Sequence, residues 1–217
     1  MKRVLTSDRK RAFTLLELVL VFLTATVFFG LVLPILLNRP SGHQRINCLA
    51  NLKQIGVAFR LYAADNDDKF PAQGVTKGFT NWGQTYLHFK AVGNELSSAK
   101  VLVCPDDKTR IPVADFSPTN FVSNSNLSYF IASDADQSKP NLLLIGDRHL
   151  DLPRTSPVLN LTSNMSIGWT KELHFYRGGA TGGNVALVDG SGSVTTSKQL
   201  RAIVQAAGDA GQRIMLP

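Results

Sequence analysis

Between Leu18 and Leu37 the chain runs for 20 residues without a formal charge, and no other feature of the sequence constrains its fold so strongly. At a helical rise of about 1.5 Å per residue the run spans roughly 30 Å, the thickness of a bilayer's hydrocarbon core. The segment is therefore read as one membrane-crossing helix. Its weak points are Thr24, Thr26, Gly30 and Pro34. Pro34 removes a backbone donor and is expected to bend the helix, a defect better tolerated in a membrane helix than in an exposed one. The same run concentrates the apolar residues of a chain that is 44% hydrophobic and 18% charged, which argues against a soluble cytoplasmic enzyme. The net charge of +7 is equally local: Lys2, Arg3, Arg9, Lys10 and Arg11 against Asp8 leave only +3 for everything after residue 12. Basic residues just ahead of an apolar run act as a topology signal, so the N-terminus is placed in the cytoplasm and no nucleic-acid partner is expected.

A secretory signal would carry small residues and a cleavage site after its apolar core. Here Leu37-Asn38-Arg39-Pro40 follows instead, and the plain reading is an uncleaved signal anchor. One detail resists that reading. In Arg11-Ala12-Phe13-Thr14-Leu15-Leu16-Glu17 a single carboxylate lies just inside the apolar stretch. An acidic residue costs about 2.5–3.5 kcal/mol at mid-membrane and less near the interface, so Glu17 calls for a partner.

A basic leader, then Ala-Phe-Thr-Leu-Leu-Glu, then some twenty apolar residues resembles the N-terminus of type IV prepilins and of type II secretion pseudopilins. The resemblance implies that a prepilin peptidase on the cytoplasmic face cuts between Ala12 and Phe13. It further implies that the amine of Phe13 is then methylated, and that Glu17 acts in subunit assembly. The family usually carries Gly before the cut, and Ala12 departs from that pattern.

Beyond a break at Arg39-Pro40-Ser41-Gly42, Ile46, Leu49, Leu52, Ile55, Phe59 and Tyr62 recur at helical spacing and predict an amphipathic helix with one apolar stripe. Asp65-Asn66-Asp67-Asp68 and Phe70-Pro71 end it. Residues 72–128 read as loops with a short strand at most. Tyr129–Ala132 and Leu142–Ile145 have strand character, and Asn184–Val188 with Ser193–Thr196 flank the turn Asp189-Gly190-Ser191-Gly192 as a hairpin. A last helix is expected from an N-cap at Ser197, with Leu200, Ile203, Val204 and Ala207 on one face and Gly208 as its stop. The fold class is α+β: a long N-terminal helix, membrane-spanning and then amphipathic, packed on a small antiparallel sheet. The boundaries are a leader over 1–12, a transmembrane half over 13–37, an exported half over 38–64 and a head over 65–217.

Further motifs resemble a large bacterial group of pseudopilin-like proteins. They are Cys48-Leu49-Ala50-Asn51-Leu52, Tyr62-Ala63-Ala64-Asp65-Asn66-Asp67, Val103-Cys104-Pro105 with Asp107, Gly146-Asp147-Arg148, Trp169-Thr170-Lys171-Glu172-Leu173-His174 and Gly183-Asn184-Val185-Ala186-Leu187-Val188-Asp189-Gly190-Ser191. What they imply is a structural subunit, not an enzyme, anchored once in a bacterial inner membrane with its head in the periplasm. Its expected partners are the prepilin peptidase, other pseudopilin subunits, an inner-membrane assembly platform and the lipid bilayer. The alternatives are a type IV pilin for adhesion or DNA uptake, and a signal-anchored hydrolase or sugar-binding module.

Other constellations are weaker. His174, Asp189 and Ser191 have the residue types of a catalytic triad, but Ser191 lacks the Gly-x-Ser-x-Gly elbow. Carboxylates cluster at Asp65, Asp67 and Asp68, at Asp106 and Asp107, at Asp134 and Asp136, and at Asp147 and Asp151. None fits a twelve-residue calcium loop, so no cofactor or metal is assigned, with calcium retained only as a candidate from the pseudopilin resemblance. Arg177-Gly178-Gly179-Ala180-Thr181-Gly182-Gly183 shares only glycine content with a phosphate cradle. Cys48 and Cys104, the only cysteines, would meet an oxidising compartment and offer either one intrachain bridge or two free thiols.

Overall fold

A computed structural model describes residues 14–37, 42–74, 83–152, 156–170, 174–175, 181–208 and 212–217. It comprises two compact units, Met1–Ser41 and Gly42–Pro217, and the expected break at residues 39–41 lies outside the described residues.

Among its described residues the first unit holds one helix, α1 (Leu15–Leu37). It is the one helix among the described residues long and apolar enough to cross a membrane. Its apolar side chains, from Leu15 through Leu33, are largely exposed. The threonines that looked like weak points are locally satisfied: Thr24 Oγ1 donates to the Val21 carbonyl at 2.9 Å, and Thr26 Oγ1 donates to that of Phe22. A hydroxyl bonded to its own helix presents methyl and backbone to the surroundings, which suits a medium offering no hydrogen-bond partners. The helix continues through Pro34 to Leu37.

The second unit opens with α2 (Gly42–Ala64). Cys48, Leu52, Ile55, Phe59 and Ala63 form its buried face, and that face covers the strands at residues 143–147, 181–187 and 192–196. The expected stripe is corrected at its first member, because Ile46 lies on the opposite side and is 61% exposed, together with Val57 and Leu61. The helix is thus apolar on two sides rather than one. It ends at Ala64, where Asp67 and Asp68 take left-handed backbone angles (φ 54° and 58°) and turn the chain. Asp is among the residues that tolerate this region.

The reading of residues 72–128 as loops is also corrected. Short helices α3 (Pro71–Gly74) and α4 (Thr85–Ala91) and 3-10 turns η1 (Ala99–Leu102) and η2 (Asn124–Asn126) occur there. They are too brief to show an apolar period, and their role is tertiary: Phe89 of α4 meets Phe59 of α2 edge-on, with ring centroids 5.4 Å apart.

The strands are β1 (Tyr129–Ala132), β2 (Leu143–Asp147), β3 (Val158–Leu161), β4 (His174–Phe175), β5 (Thr181–Leu187), β6 (Gly192–Thr196) and β7 (Gln212–Met215). All pairings are antiparallel, in the order β3-β7-β1-β2-β5-β4, with β6 also paired to β5. Val185 faces Gly146 on one side and Ser193 on the other, so β6 and β2 flank β5. The hairpin turn is the expected one, closed at Gly190, whose φ of +86° favours glycine. Helix α5 (Ser197–Ala206) follows, but its cap is Thr196 and not Ser197: Thr196 and Gln199 bond reciprocally as a capping box. Gly208, at φ +86°, stops it.

Sequence reading missed β3, β4 and β7. The last enters the sheet between β3 and β1 on only four residues, one of them Gln212. Buried Gln212 accepts from the Leu143 N–H at 3.1 Å through its side-chain oxygen and donates to the Leu143 carbonyl at 2.6 Å. Its amide does for β2 what a neighbouring peptide unit would do.

Candidate functional site

The proposed cleavage and methylation residues, Ala12 and Phe13, lie outside the described residues. The next residue starts the helix. Thr14 Oγ1 accepts from the Glu17 N–H at 3.3 Å, while the Glu17 carboxylate accepts from the Thr14 N–H at 2.9 Å and from its hydroxyl at 3.0 Å. This is a capping box, which satisfies otherwise orphaned donors in the first helical turn. The signal is in the sequence, since Thr-Leu-Leu-Glu fits the Ser/Thr-x-x-Glu pattern, alongside the reading of Glu17 as a charge in need of a partner. The structure gives it one within its own chain.

Cys48 and Cys104 are joined in a disulfide, with Cα atoms 5.0 Å apart. Both are fully buried. The bridge ties α2 to the segment after η1, and three of the motifs quoted above join one another from Cys104 onward. Cys104 opens a turn in which the Asp107 N–H donates to the Cys104 carbonyl at 2.9 Å. That turn delivers the Asp107 carboxylate to Arg148, whose Nε and Nη2 donate to its two oxygens at 2.8 and 3.0 Å. Asp107 also accepts from the Thr109 N–H and hydroxyl. Burial alone would raise its pKa, but Arg148 and Thr109 outweigh it and hold the carboxyl well below the usual range. One residue before Arg148, the Asp147 carboxylate accepts from the backbone N–H of Asn184 at 2.7 Å and from its side-chain amide at 3.0 Å. Tyr129 is enclosed here too, and burial, followed by the charge of Asp147, pushes its phenol up. Cys-Pro-Asp-Asp, Gly-Asp-Arg and Gly-Asn-Val thus interlock as fasteners between α2, β2 and β5. Spacing could not reveal this, because 41 residues separate Asp107 from Arg148.

The other constellations disperse. Asp189 accepts from the Ser191 N–H at 2.7 Å within the exposed hairpin turn, and burial of Asp189 is too slight for a triad member. His174 pairs with Gly182 through its backbone, and its side chain lies outside the described residues, as does most of the glycine segment 177–183. The carboxylate clusters separate as well. Asp134 pairs with Arg213, Asp136 closes a turn through the Ser138 N–H, and Asp65, Asp67 and Asp68 stay exposed. Among the described residues one group has metal-type ligands close together, Cys48, Cys104 and Asp106, and the disulfide takes both of its thiols. Comparison with protein-family models, with curated proteins and with solved structures gave no match for this chain.

Proposed function

We propose that the chain is a pseudopilin-like structural subunit, processed by a prepilin peptidase and assembled through its N-terminal helix into a periplasmic filament that serves protein secretion. The reading rests chiefly on α1, a 23-residue helix with exposed apolar side chains and a Glu at its third position, preceded by a basic leader. Three further features support it. The head carries a helix on an antiparallel sheet. A disulfide suits an oxidising compartment. The outward side of α2 bears Ile46, Val57 and Leu61, an apolar strip of the kind that neighbouring copies cover. The lipid bilayer, the peptidase, other subunits and an assembly platform are its partners in this reading.

Mass spectrometry of protein extracted from the membranes of its native host tests the first step. The expected N-terminus is Phe13 with one added methyl group. An intact Met1 N-terminus would sink the processing step and favour a plain signal anchor.

Glu17 offers a second test, because its two possible roles separate under substitution. Glu17→Gln keeps an acceptor for the Thr14 donors and removes the charge, whereas Glu17→Ala removes both. An ion pair with the Phe13 amine of a neighbouring subunit predicts that both variants insert but fail to form filaments, scored by electron microscopy of membrane fractions. Normal filaments from Glu17→Gln would leave only the capping role, worth about 1 kcal/mol.

A further inference from the structure

A groove of about 480 Å³ lies in the head, lined by residues other than those of the Asp107–Arg148 and Asp147–Asn184 clamps. Its walls come from three places. An antiparallel bridge between Leu150 and Trp169 brings two loops together, held by the Asp151 N–H donating to the Gly168 carbonyl at 2.8 Å. The start of β5 contributes Thr181, and the first turns of α5 contribute Ser197 and Arg201.

The groove is built and not incidental. Ser197 Oγ accepts from the Trp169 N–H at 3.0 Å and lies 3.4 Å from the Thr181 hydroxyl. Arg201 Nε donates to the Ser197 carbonyl at 3.1 Å, which fixes the guanidinium while its terminal nitrogens meet no partner among the described residues. The Trp169 ring lies flat on Gly183: a Cβ there would stand 2.5–2.6 Å from three ring carbons. The indole N–H is buried and has no hydrogen-bond partner among the described residues, a state that costs stability unless a ligand or water accepts from it.

The charges decide the ligand class. Arg201 alone beside a helix N-terminus would favour an anion, but Asp151 stands in the same wall and repels one. The first turn of α5 is moreover already capped by Thr196 and Gln199. Among the described lining residues one carboxylate and one guanidinium balance in charge, and the hydroxyls of Ser166, Thr170, Thr181 and Ser197 add donors and acceptors. Vicinal hydroxyls answer such an array, since each can donate to Asp151 while its neighbour accepts from Arg201. The volume falls within the ordinary range for small-molecule sites, about 300–1,000 Å³. We propose that this groove binds a neutral saccharide, of one or two sugar units, through Asp151 and Arg201.

The test uses the full chain in phospholipid nanodiscs, since glycosidic detergents would compete. Glucose, galactose, N-acetylglucosamine and their β-linked disaccharides are titrated by saturation-transfer NMR against wild type, Asp151→Ala and Arg201→Ala. Both substituted side chains are exposed, so the fold should survive, as a melting curve can verify. The expected result is saturable binding of at least one probe, weakened about tenfold or more by each substitution. Absence of binding by every probe, equal binding to both variants, or displacement of the sugar by inorganic phosphate would each overturn the proposal. Filament formation is independent of these outcomes, so failure here leaves the subunit reading intact.

Discussion

Replacing Arg148 with methionine is expected to destabilise the head by about 3–5 kcal/mol, because it strands a buried carboxylate. Arg148 and Asp107 have side chains 8% and 1% exposed, and two hydrogen bonds join them in a fork geometry that a lysine could not reproduce. Removing both charges, in Arg148→Met with Asp107→Leu, should recover much of the loss, since a buried pair replaced by apolar side chains of similar volume is often close to neutral. Urea denaturation of the four variants of this cycle measures both effects. A loss below about 1 kcal/mol in the single variant would mean that water reaches Asp107 in solution.

The pH dependence supplies an independent sign. In wild type the folded pKa of Asp107 is depressed. Its contribution is therefore complete above the unfolded value of about 3.9 and is lost as pH falls below it toward the folded value. In Arg148→Met the remaining effect of burial raises the pKa instead, so protonation relieves the stranded charge. The gap between variant and wild type should accordingly narrow as pH is lowered from neutral toward 4. His88, whose pKa is lowered by burial, destabilises both proteins as pH falls through about 6.5 and cancels in the difference.

The second large effect is expected from the disulfide. Cys48→Ala with Cys104→Ala releases a loop spanning a sequence separation of 56, for which the chain-entropy relation gives about 4 kcal/mol. For a head of this size that corresponds to a fall in melting temperature of roughly 8–16 °C, readable by near-ultraviolet circular dichroism of the detergent-solubilised chain. Because both sulfurs are fully buried, native protein should also resist thiol reductants that cleave the bridge readily once the head is unfolded. Two alkylatable thiols on denatured, unreduced protein from the host would contradict the bridge and with it the placement of the head in an oxidising compartment.

The elements legible in the sequence were those whose physics is local. Twenty uncharged residues need no partner to be recognised as a membrane-length helix. Asp189-Gly190 marks a hairpin because only a few residue types accept its backbone angles. Ser/Thr-x-x-Glu and Thr-x-x-Gln patterns at Thr14 and Thr196 are equally local, although Glu17 also reads as an unpaired charge and Ser197 also as a cap. β7 was illegible for a physical reason: four residues with a buried glutamine become a strand only because β3 and β1 leave a place between them. The short helices of residues 71–91 are likewise stabilised by what they touch, Phe59 and its neighbours, and not by propensity.

For the head's polar residues the sequence carries chemistry without geometry. It displayed Asp107, Asp147, Arg148 and Asn184 as motif members, and carboxylate clusters as possible ligand sets. Only the tertiary structure sorted them into two buried clamps beside a disulfide, because which carboxylate meets which cation depends on loop closure over some 40 residues and leaves no periodic trace. The groove between Asp151 and Arg201 belongs to the same class. By contrast the N-terminal helix was determined by the sequence alone, since a run of twenty apolar residues reaches membrane length by composition and count, and needs no particular neighbour within the chain.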